Sequence, residues 1–177
     1  ANIPSACFAA AYLPEEGFDA VFRTHGNRVT MGGQFFPNGM GDKVEGGYRV
    51  TGAWQFGSGT GHSEYVCAGF LPMDGGQMVM ADAVMPLMLV AIVPREAVTF
   101  TDGWHVQGLK GTGSYDYELT DVFVPASHTY PLMTRTPLRG GRSTWRLFTR
   151  AVQTVPRPPN RSNEELPHDH CRDRRRH

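Results

Sequence analysis

A short loop, Phe56-Gly57-Ser58, contains the residue types in this chain best suited to holding a flat ring with polar edge atoms. Phe56 supplies an apolar aromatic face, and the Ser58 hydroxyl can donate or accept a hydrogen bond. The alternative is purely structural, with Phe56 as a core aromatic and Gly57-Ser58-Gly59 as an ordinary turn. The residue types alone favour the ordinary turn, and Ser58 becomes the central candidate residue only through a family resemblance of the flanking segments.

A second candidate lies upstream, where Gly33 and Phe35 begin the segment that runs through Pro37 to Asp42. Backbone amides at Gly33 and Phe35 could donate hydrogen bonds to a ligand, because an amide donor does not depend on its side chain. Core packing of Phe35 and its neighbour Phe36 is the competing interpretation.

Other residues that could bind a metal or a phosphate are too scattered to form a site. The histidines at 62, 105 and 128 have no metal-binding spacing, and we expect no metal. The glycines at 108, 111 and 113 precede a strand pattern rather than a helix, so they do not form a phosphate-binding loop. Five residues near the end, Arg172 to Arg176, predict at most weak phosphate attraction and no specific nucleic-acid partner.

The elements that must position the candidate loops are strands. Residues from about 30 to 130 are rich in glycine, β-branched and aromatic residues, with turn signals at short intervals and no helical period. Gly46-Gly47 predicts a tight hairpin between two strands. Further strands are predicted at Tyr65 to Leu71, Leu87 to Val93, Val98 to Thr101, Tyr115 to Thr120 and Val122 to Val124. The predicted fold is mainly β, an antiparallel barrel-like domain.

Three parts are predicted along the 177 residues. Residues 1–29 contain a short helix near Pro14, with two glutamates at its positive end, and we interpret this part as the remnant of a helical domain. Residues 30–133 form the β-domain. Residues 134–177 are predicted to be a disordered tail, or an out-of-frame reading of a lost helical domain, because they have no sustained apolar period.

Charge divides the chain at the same boundary. Six basic and thirteen acidic residues precede Thr134, whereas eleven arginines and four acidic residues follow. The three cysteines show no paired spacing, no signal segment opens the chain, and the apolar run from Val84 to Val93 is too short to span a bilayer. These features predict a cytoplasmic protein with no membrane partner.

Two segments, Gly47 to Gly59 and Gly108 to Pro125, resemble the middle β-domain of the acyl-CoA dehydrogenase superfamily. In that superfamily the first segment runs into the loop that lies against the flavin ring. The resemblance implies that Phe56, Gly57 and Ser58 meet the flavin, that Phe35 and Gly33 approach it from a second loop, and that the cofactor is FAD, with FMN as the alternative. Phe35 and Phe36 replace the family's Thr-Glu pair in that second loop.

The resemblance implies an oxidoreductase, with oxidation of an acyl-CoA thioester as the first interpretation. The alternative within the superfamily is a two-component monooxygenase that hydroxylates an aromatic or steroid-like substrate, and the aromatic-x-Ser pattern of Phe56 and Ser58 leans toward that branch. A third interpretation is a non-catalytic β-domain. The family's catalytic base comes from a C-terminal helical domain with no counterpart here, so no catalytic residue is assigned and the isolated chain is expected to be inactive. A completed protein is expected to be a homo-oligomer.

Overall fold

The computed structural model of this chain describes residues 3–101, 114–133 and 137–138. Two helices, α1 (Ile3–Tyr12) and α2 (Glu15–Val21), open the described chain. The strands that follow are β1 (Met31–Val44), β2 (Gly47–Gly57), β3 (Tyr65–Asp74), β4 (Gln77–Met78), β5 (Leu89–Pro94), β6 (Thr99–Thr101), β7 (Tyr115–Pro125) and β8 (Thr129–Pro131). The prediction of a mainly β fold with short N-terminal helices is confirmed.

The strands form one sheet in the order β6-β7-β2-β1-β3-β5-β8, with β4 paired to β3. Most neighbours are antiparallel, but β1 and β3 run parallel, so the expectation of a wholly antiparallel sheet is wrong at its centre. β2 folds back along one edge of β1 and ends near the start of β1. β3 therefore begins at that end, takes the other edge of β1 and runs in the same direction. Within the described residues, β6 and β8 do not pair with each other, so the sheet is open rather than a closed barrel.

The predicted hairpin joins β1 to β2, but its turn lies one residue earlier than expected. Val44 pairs with Gly47, so Glu45 and Gly46 form the turn and Gly47 belongs to β2. Gly46 has a φ of 79°, a backbone angle that glycine adopts without steric cost. Gly47 instead allows β7 to approach, because a Cβ there would lie 2.1 Å from the Val124 carbonyl oxygen.

Apolar side chains from the two faces of the sheet form two separate cores. The inner core contains Val50 and Trp54 of β2 and Phe70 of β3, the two strands that flank β1, and all three side chains are fully buried. The outer core lies where the helices cover β3, β5 and β8, and it includes Leu13 and Ile92. Alternation along β3 and β5 supplies both cores, since successive residues of a strand point to opposite faces.

The predicted N-terminal helix is confirmed as α2, and Pro14 is its N-cap rather than its first helical residue. Neither helix in the described part of the chain is long and apolar enough to cross a membrane. The predictions for the tail, for His105 and for the glycines at 108, 111 and 113 lie outside the described residues. The boundaries at 29 and 133 stay predictions.

Candidate functional site

Phe56 lies at the end of β2, where the strand leaves its regular course. Its φ is 58°, an uncommon angle for a residue with a side chain. The amide nitrogen of Phe56 donates a 2.9 Å hydrogen bond to Oδ1 of Asp116 on β7, and this bond fixes the turn. The ring is 62% exposed, so the interpretation of Phe56 as a core aromatic is wrong. An aromatic face is therefore presented to the outside on a constrained backbone.

Ser58 lies next to Phe56 on the exposed side of the same loop. The Ser58 hydroxyl is 3.4 Å from the Phe56 carbonyl oxygen and 3.3 Å from Oγ of Ser114. Ser114 is buried and precedes β7, so two hydroxyls from distant parts of the sequence meet at this loop. Each hydroxyl can both donate and accept, so together they can satisfy a polar ligand edge of either kind.

Gly33 brings the second predicted loop to the first. Its amide nitrogen donates to the Ser58 carbonyl oxygen at 3.2 Å, so this amide joins the loops in the present structure. Gly33 has a φ of 120°, and a Cβ there would lie 2.2 Å from the Cys67 carbonyl oxygen. The sequence interpretation of the Gly33 amide as a ligand donor stays a prediction, and it requires this bond to be exchanged for one to the ligand.

Tyr117 supports both loops from the inner core. Its hydroxyl accepts a hydrogen bond from the Gln34 amide at 2.9 Å and donates to the Cys67 carbonyl oxygen at 2.5 Å. The Tyr117 ring stacks on Trp54, with 5.3 Å between ring centroids. Burial raises the pKa of the Tyr117 hydroxyl, so it stays protonated at neutral pH and keeps donating. The start of β1 is thus held to β3 and β7 by one side chain.

The loop after Ser58 is anchored from the buried side. The Thr60 hydroxyl, fully buried, donates to the Gly57 carbonyl oxygen at 2.7 Å, and the Arg95 guanidinium donates to the Thr60 carbonyl oxygen. Gly57 is buried, and a Cβ there would lie 2.7 Å from the Tyr115 carbonyl oxygen. A side chain at Gly57 would therefore push β2 away from β7.

The two phenylalanines of the upstream loop have different surroundings. Phe35 packs against the outer core and makes an edge contact with Phe8 at 6.0 Å between centroids. Phe36 is 66% exposed. The indole nitrogen of Trp54 donates to the carbonyl oxygens of Phe36 and Gly69, at 3.2 and 2.9 Å, across the register shift between β1 and β3. Core packing is thus right for Phe35 and wrong for Phe36.

The structure brings Gly33, Phe56, Gly57 and Ser58 together and directs the Phe35 side chain elsewhere. Sequence reasoning missed Ser114, Asp116 and Tyr117, which complete the site. The alternation of Tyr115, Tyr117 and Leu119 predicted the strand that carries them, but only its register against β2 places Asp116 beside Phe56.

The arrangement fits a flavin in its chemistry. A flavin needs an apolar neighbour for its tricyclic ring and hydrogen-bond donors along its polar edge. The exposed Phe56 side chain and the Ser58 hydroxyl supply those two features where β2 ends. The site is a wall rather than an enclosed pocket. Among the described residues, no group of three or more histidine, cysteine or acidic side chains is placed to hold a metal ion.

Sequence comparison places the chain near flavin-dependent hydroxylases. It is 40% identical over 97 residues to a pigment production hydroxylase of Rhodococcus erythropolis, a match that covers 54% of this chain and 24% of that protein. It is 33% identical over 135 residues to the oxygenase component of an FADH(2)-dependent resorcinol hydroxylase of Rhizobium, a match that covers 75% of this chain and 31% of that protein. No protein-family model matches the sequence.

Solved structures show the same fold. The 3-HSA hydroxylase of Rhodococcus matches with a TM-score of 0.61 at 30% identity, covering 73% of this chain and 32% of that one. XiaF of Streptomyces, solved with FADH2 and glycerol, matches with a TM-score of 0.63 at 29% identity, covering 72% of this chain and 30% of that one. The chain thus spans about a quarter to a third of the length of these relatives. Three of these four relatives are hydroxylases by name, so the comparisons favour the monooxygenase alternative and do not support the acyl-CoA dehydrogenase reaction.

Proposed function

The β-domain of this chain has the fold of the acyl-CoA dehydrogenase superfamily, and on that premise we propose that it forms the flavin-contacting wall of a monooxygenase's oxygenase component. The reaction we propose is hydroxylation of an aromatic substrate. The observation that carries the proposal is the loop at the end of β2, where the Phe56 side chain is exposed and the exposed Ser58 hydroxyl lies within hydrogen-bond distance of the Ser114 hydroxyl.

The relatives support this choice of reaction. The Rhizobium protein acts with FADH(2), and XiaF was solved with FADH2, so a reduced flavin is the proposed cofactor. We retain FAD as the first choice over FMN. Because the chain spans a third of these relatives or less, the activity is proposed for the completed protein, in which further walls close the substrate cavity and a homo-oligomer is expected.

The residues of this chain bind and orient rather than react. A bound reduced flavin supplies the electrons that activate oxygen. The Ser58 hydroxyl donates toward the polar edge of the ring, and Phe56 covers part of its apolar surface and keeps water from it. Asp116 holds the Phe56 backbone in the position that presents the ring. Tyr117 and Gly33 keep the start of β1 against this loop, so the wall is already ordered before a ligand binds.

The test is a titration of the purified chain with FAD and FMN, oxidised and anaerobically reduced, followed by flavin fluorescence or absorbance. Ser58→Ala removes one side-chain hydrogen bond, worth about 1 kcal/mol, so affinity should fall several-fold. Phe56→Ala should cost more, because it removes the apolar contact. Phe123→Ala is the matched control, since Phe123 is also an exposed phenylalanine of the sheet but lies beside Arg49.

The outcomes separate the candidate functions. Saturable binding that weakens in the order Phe123→Ala, Ser58→Ala, Phe56→Ala supports the proposal. Equal binding by all variants would move the site elsewhere on the molecule. No saturable binding by the wild type would favour the non-catalytic β-domain. Turnover of an acyl-CoA by the isolated chain is not expected under any of these outcomes.

A further inference from the structure

Four methionines lie near one another on the outer face of the sheet, the face that carries the outer core, at the end away from the Phe56 loop. They are Met40 on β1, Met73 on β3, Met78 on β4 and Met88 immediately before β5. The chain has 8 methionines in total, so half of them lie in this one area, which we call the methionine patch. The proposed flavin wall uses none of them.

Strand alternation places Met73 and Met78 on this face. Cys67 of β3 belongs to the outer core and Phe70 to the inner core. Successive residues of a strand point to opposite sides, so Met73 shares the face of Cys67. Met78 is the cross-strand partner of Met73 and therefore lies on the same face. The Cβ atoms of directly opposed residues lie about 5 Å apart and methionine is flexible, so the two thioethers can converge on one ion.

Met40 and Met88 lie in the adjacent row, on either side of Leu71. Met40 pairs directly with Leu71 across β1 and β3. Leu89 packs in the inner core and pairs with Phe70 on the other edge of β3. Met88 precedes Leu89, so it faces outward at the level of Leu71. Diagonal neighbours on one face of a sheet are about 7–8 Å apart, so either thioether can supply a third ligand.

Solvent reaches the methionine patch. Met40 is 59% exposed and Met78 is 42% exposed, whereas Met73 and Met88 are half-buried. Asp42 is the direct partner of Met73 on β1, so a carboxylate lies beside the thioethers and favours a cation there. An ion can therefore enter from water without any movement of the strands.

The chemistry of the thioether decides which ion fits. Thioether sulfur is a soft ligand that suits Cu(I), whereas carboxylate, carbonyl and water oxygens suit magnesium and calcium. Within the part of the chain that the structure describes, no group of three or more histidine, cysteine or acidic side chains is placed to hold a metal ion. Arg49 lies on the other side of Asp42, but its guanidinium pairs with the Asp121 carboxylate at 3.3 Å.

We propose that the thioethers of Met73 and Met78, with Met40 or Met88 as a third ligand, bind a soft monovalent cation of the Cu(I) type. The ion is held by coordination alone, and no electron is transferred. The site is independent of the proposed flavin function, because it lies at the opposite end of β1 from Gly33.

The test is a titration of the full 177-residue chain with Ag(I), a redox-inert substitute for Cu(I), followed by NMR of isotope-labelled methionine methyl groups. Cys7 and Cys171 are replaced with serine, because free thiols would capture silver before thioethers do. Cys67 is kept, since it is fully buried. We expect saturable shifts of the Met73 and Met78 methyl signals and no shift at Met133, which is 65% exposed but lies outside the patch.

Leucine variants separate coordination from packing. Met73→Leu and Met78→Leu keep the apolar volume and remove the sulfur, so the fold should persist while silver affinity falls roughly tenfold or more. Met133→Leu is the matched control and should leave the affinity unchanged. An anaerobic titration with Cu(I) against a competing chromophoric chelator should give the same order of affinities.

Three results would overturn the proposal. The first is the absence of saturable shifts at Met73 and Met78. The second is an equal shift at Met133, which would mean that silver binds any exposed thioether. The third is silver affinity that both leucine variants at positions 73 and 78 leave unchanged. The flavin titration is read independently, so the failure of either proposal does not touch the other.

Discussion

The conformation of the Phe56 loop is fixed by one carboxylate, that of Asp116. The left-handed backbone of Phe56 costs on the order of 1 kcal/mol, and the bond from its amide to Asp116 offsets part of that cost. Asp116→Ala should therefore release the loop and lower flavin affinity although Ser58 and Phe56 are both intact. Asp116→Asn is the matched variant, because its amide oxygen can still accept. Flavin titration of both variants checks this prediction, and equal affinities would show that Asp116 is not a positioning residue.

Removing the Tyr130 hydroxyl should stabilise the folded chain. Its buried hydroxyl has no partner in the described structure, so Tyr130→Phe removes a desolvated polar atom and keeps the ring packing. We expect the free energy of unfolding of the ligand-free chain to increase by about 1 kcal/mol, and its melting temperature to rise accordingly. Tyr117→Phe is the contrast, because it removes bonds to Gln34 and Cys67 and should lower the melting temperature. A lower melting temperature for Tyr130→Phe would mean that its hydroxyl has a partner.

The close contact between β1 and β3 depends on Gly33. Gly33→Ala places a Cβ 2.2 Å from a backbone oxygen of β3 and also strains a φ of 120°. The free energy of unfolding should fall by more than the roughly 1–2 kcal/mol that a left-handed residue alone costs. Gly76→Ala is the control, since its φ is 79° and nothing lies within 4 Å of the added carbon. Denaturant melts compare the two, and equal losses would show that β1 can shift.

His128, in the turn before β8, should make the stability of the folded chain depend on pH. Burial lowers the pKa of His128, and the nearby Glu16 on α2 partly opposes that shift. Because the folded chain holds this proton less tightly than the unfolded chain, stability should be full above the usual histidine pKa of about 6.5 and should fall as pH drops below it. Melting temperatures of the wild type and His128→Gln, measured between about pH 5 and 8, test this. Parallel curves for the two proteins would contradict it.

The sequence predicted most of these elements because their signals are local. Tyr115 and Tyr117 alternate with acidic residues, and Gly46 marks a turn, so β7 and the hairpin follow from short-range pattern. The parallel pairing of β1 with β3 has no such signal, because it depends on which edge of β1 remains after β2 has folded back. The register shifts near Pro37 likewise appear only when the strands are paired.

The candidate site was predictable to the same extent. Phe56 and Ser58 lie two positions apart, and the resemblance to a family motif identified them. Asp116 and Ser114 lie more than fifty positions away, and only the pairing of β2 with β7 brings them to the loop. The Phe35 side chain packs on the outer core, whereas the Phe35 backbone amide as a ligand donor stays a prediction.

For the molecule as a whole, the helices cover only part of the outer face of the sheet. They pack over β3, β5, β8 and the start of β1, whereas the outer face of β2, β7 and the rest of β1 is uncovered in the described structure. Three large apolar side chains are exposed there, with Met40 and Val44 on β1 and Phe123 on β7. The same face carries Arg49 and Asp42 between them, opposite each other in register. Exposed apolar clusters of this kind mark surfaces that pack against other protein.

We expect the isolated chain to self-associate through this face and to bind a hydrophobic dye. Replacing Met40 and Phe123 with lysine should lower both self-association and dye binding without lowering the melting temperature, because both side chains are already largely in water. Met31→Lys is the control, since Met31 is buried in the outer core and its replacement should destabilise the chain. Sedimentation velocity at several protein concentrations, together with dye fluorescence, makes the measurement. A wild-type chain that stays monomeric and binds no dye would show that this face is stable in water, and that the relatives' additional length is not needed to cover it.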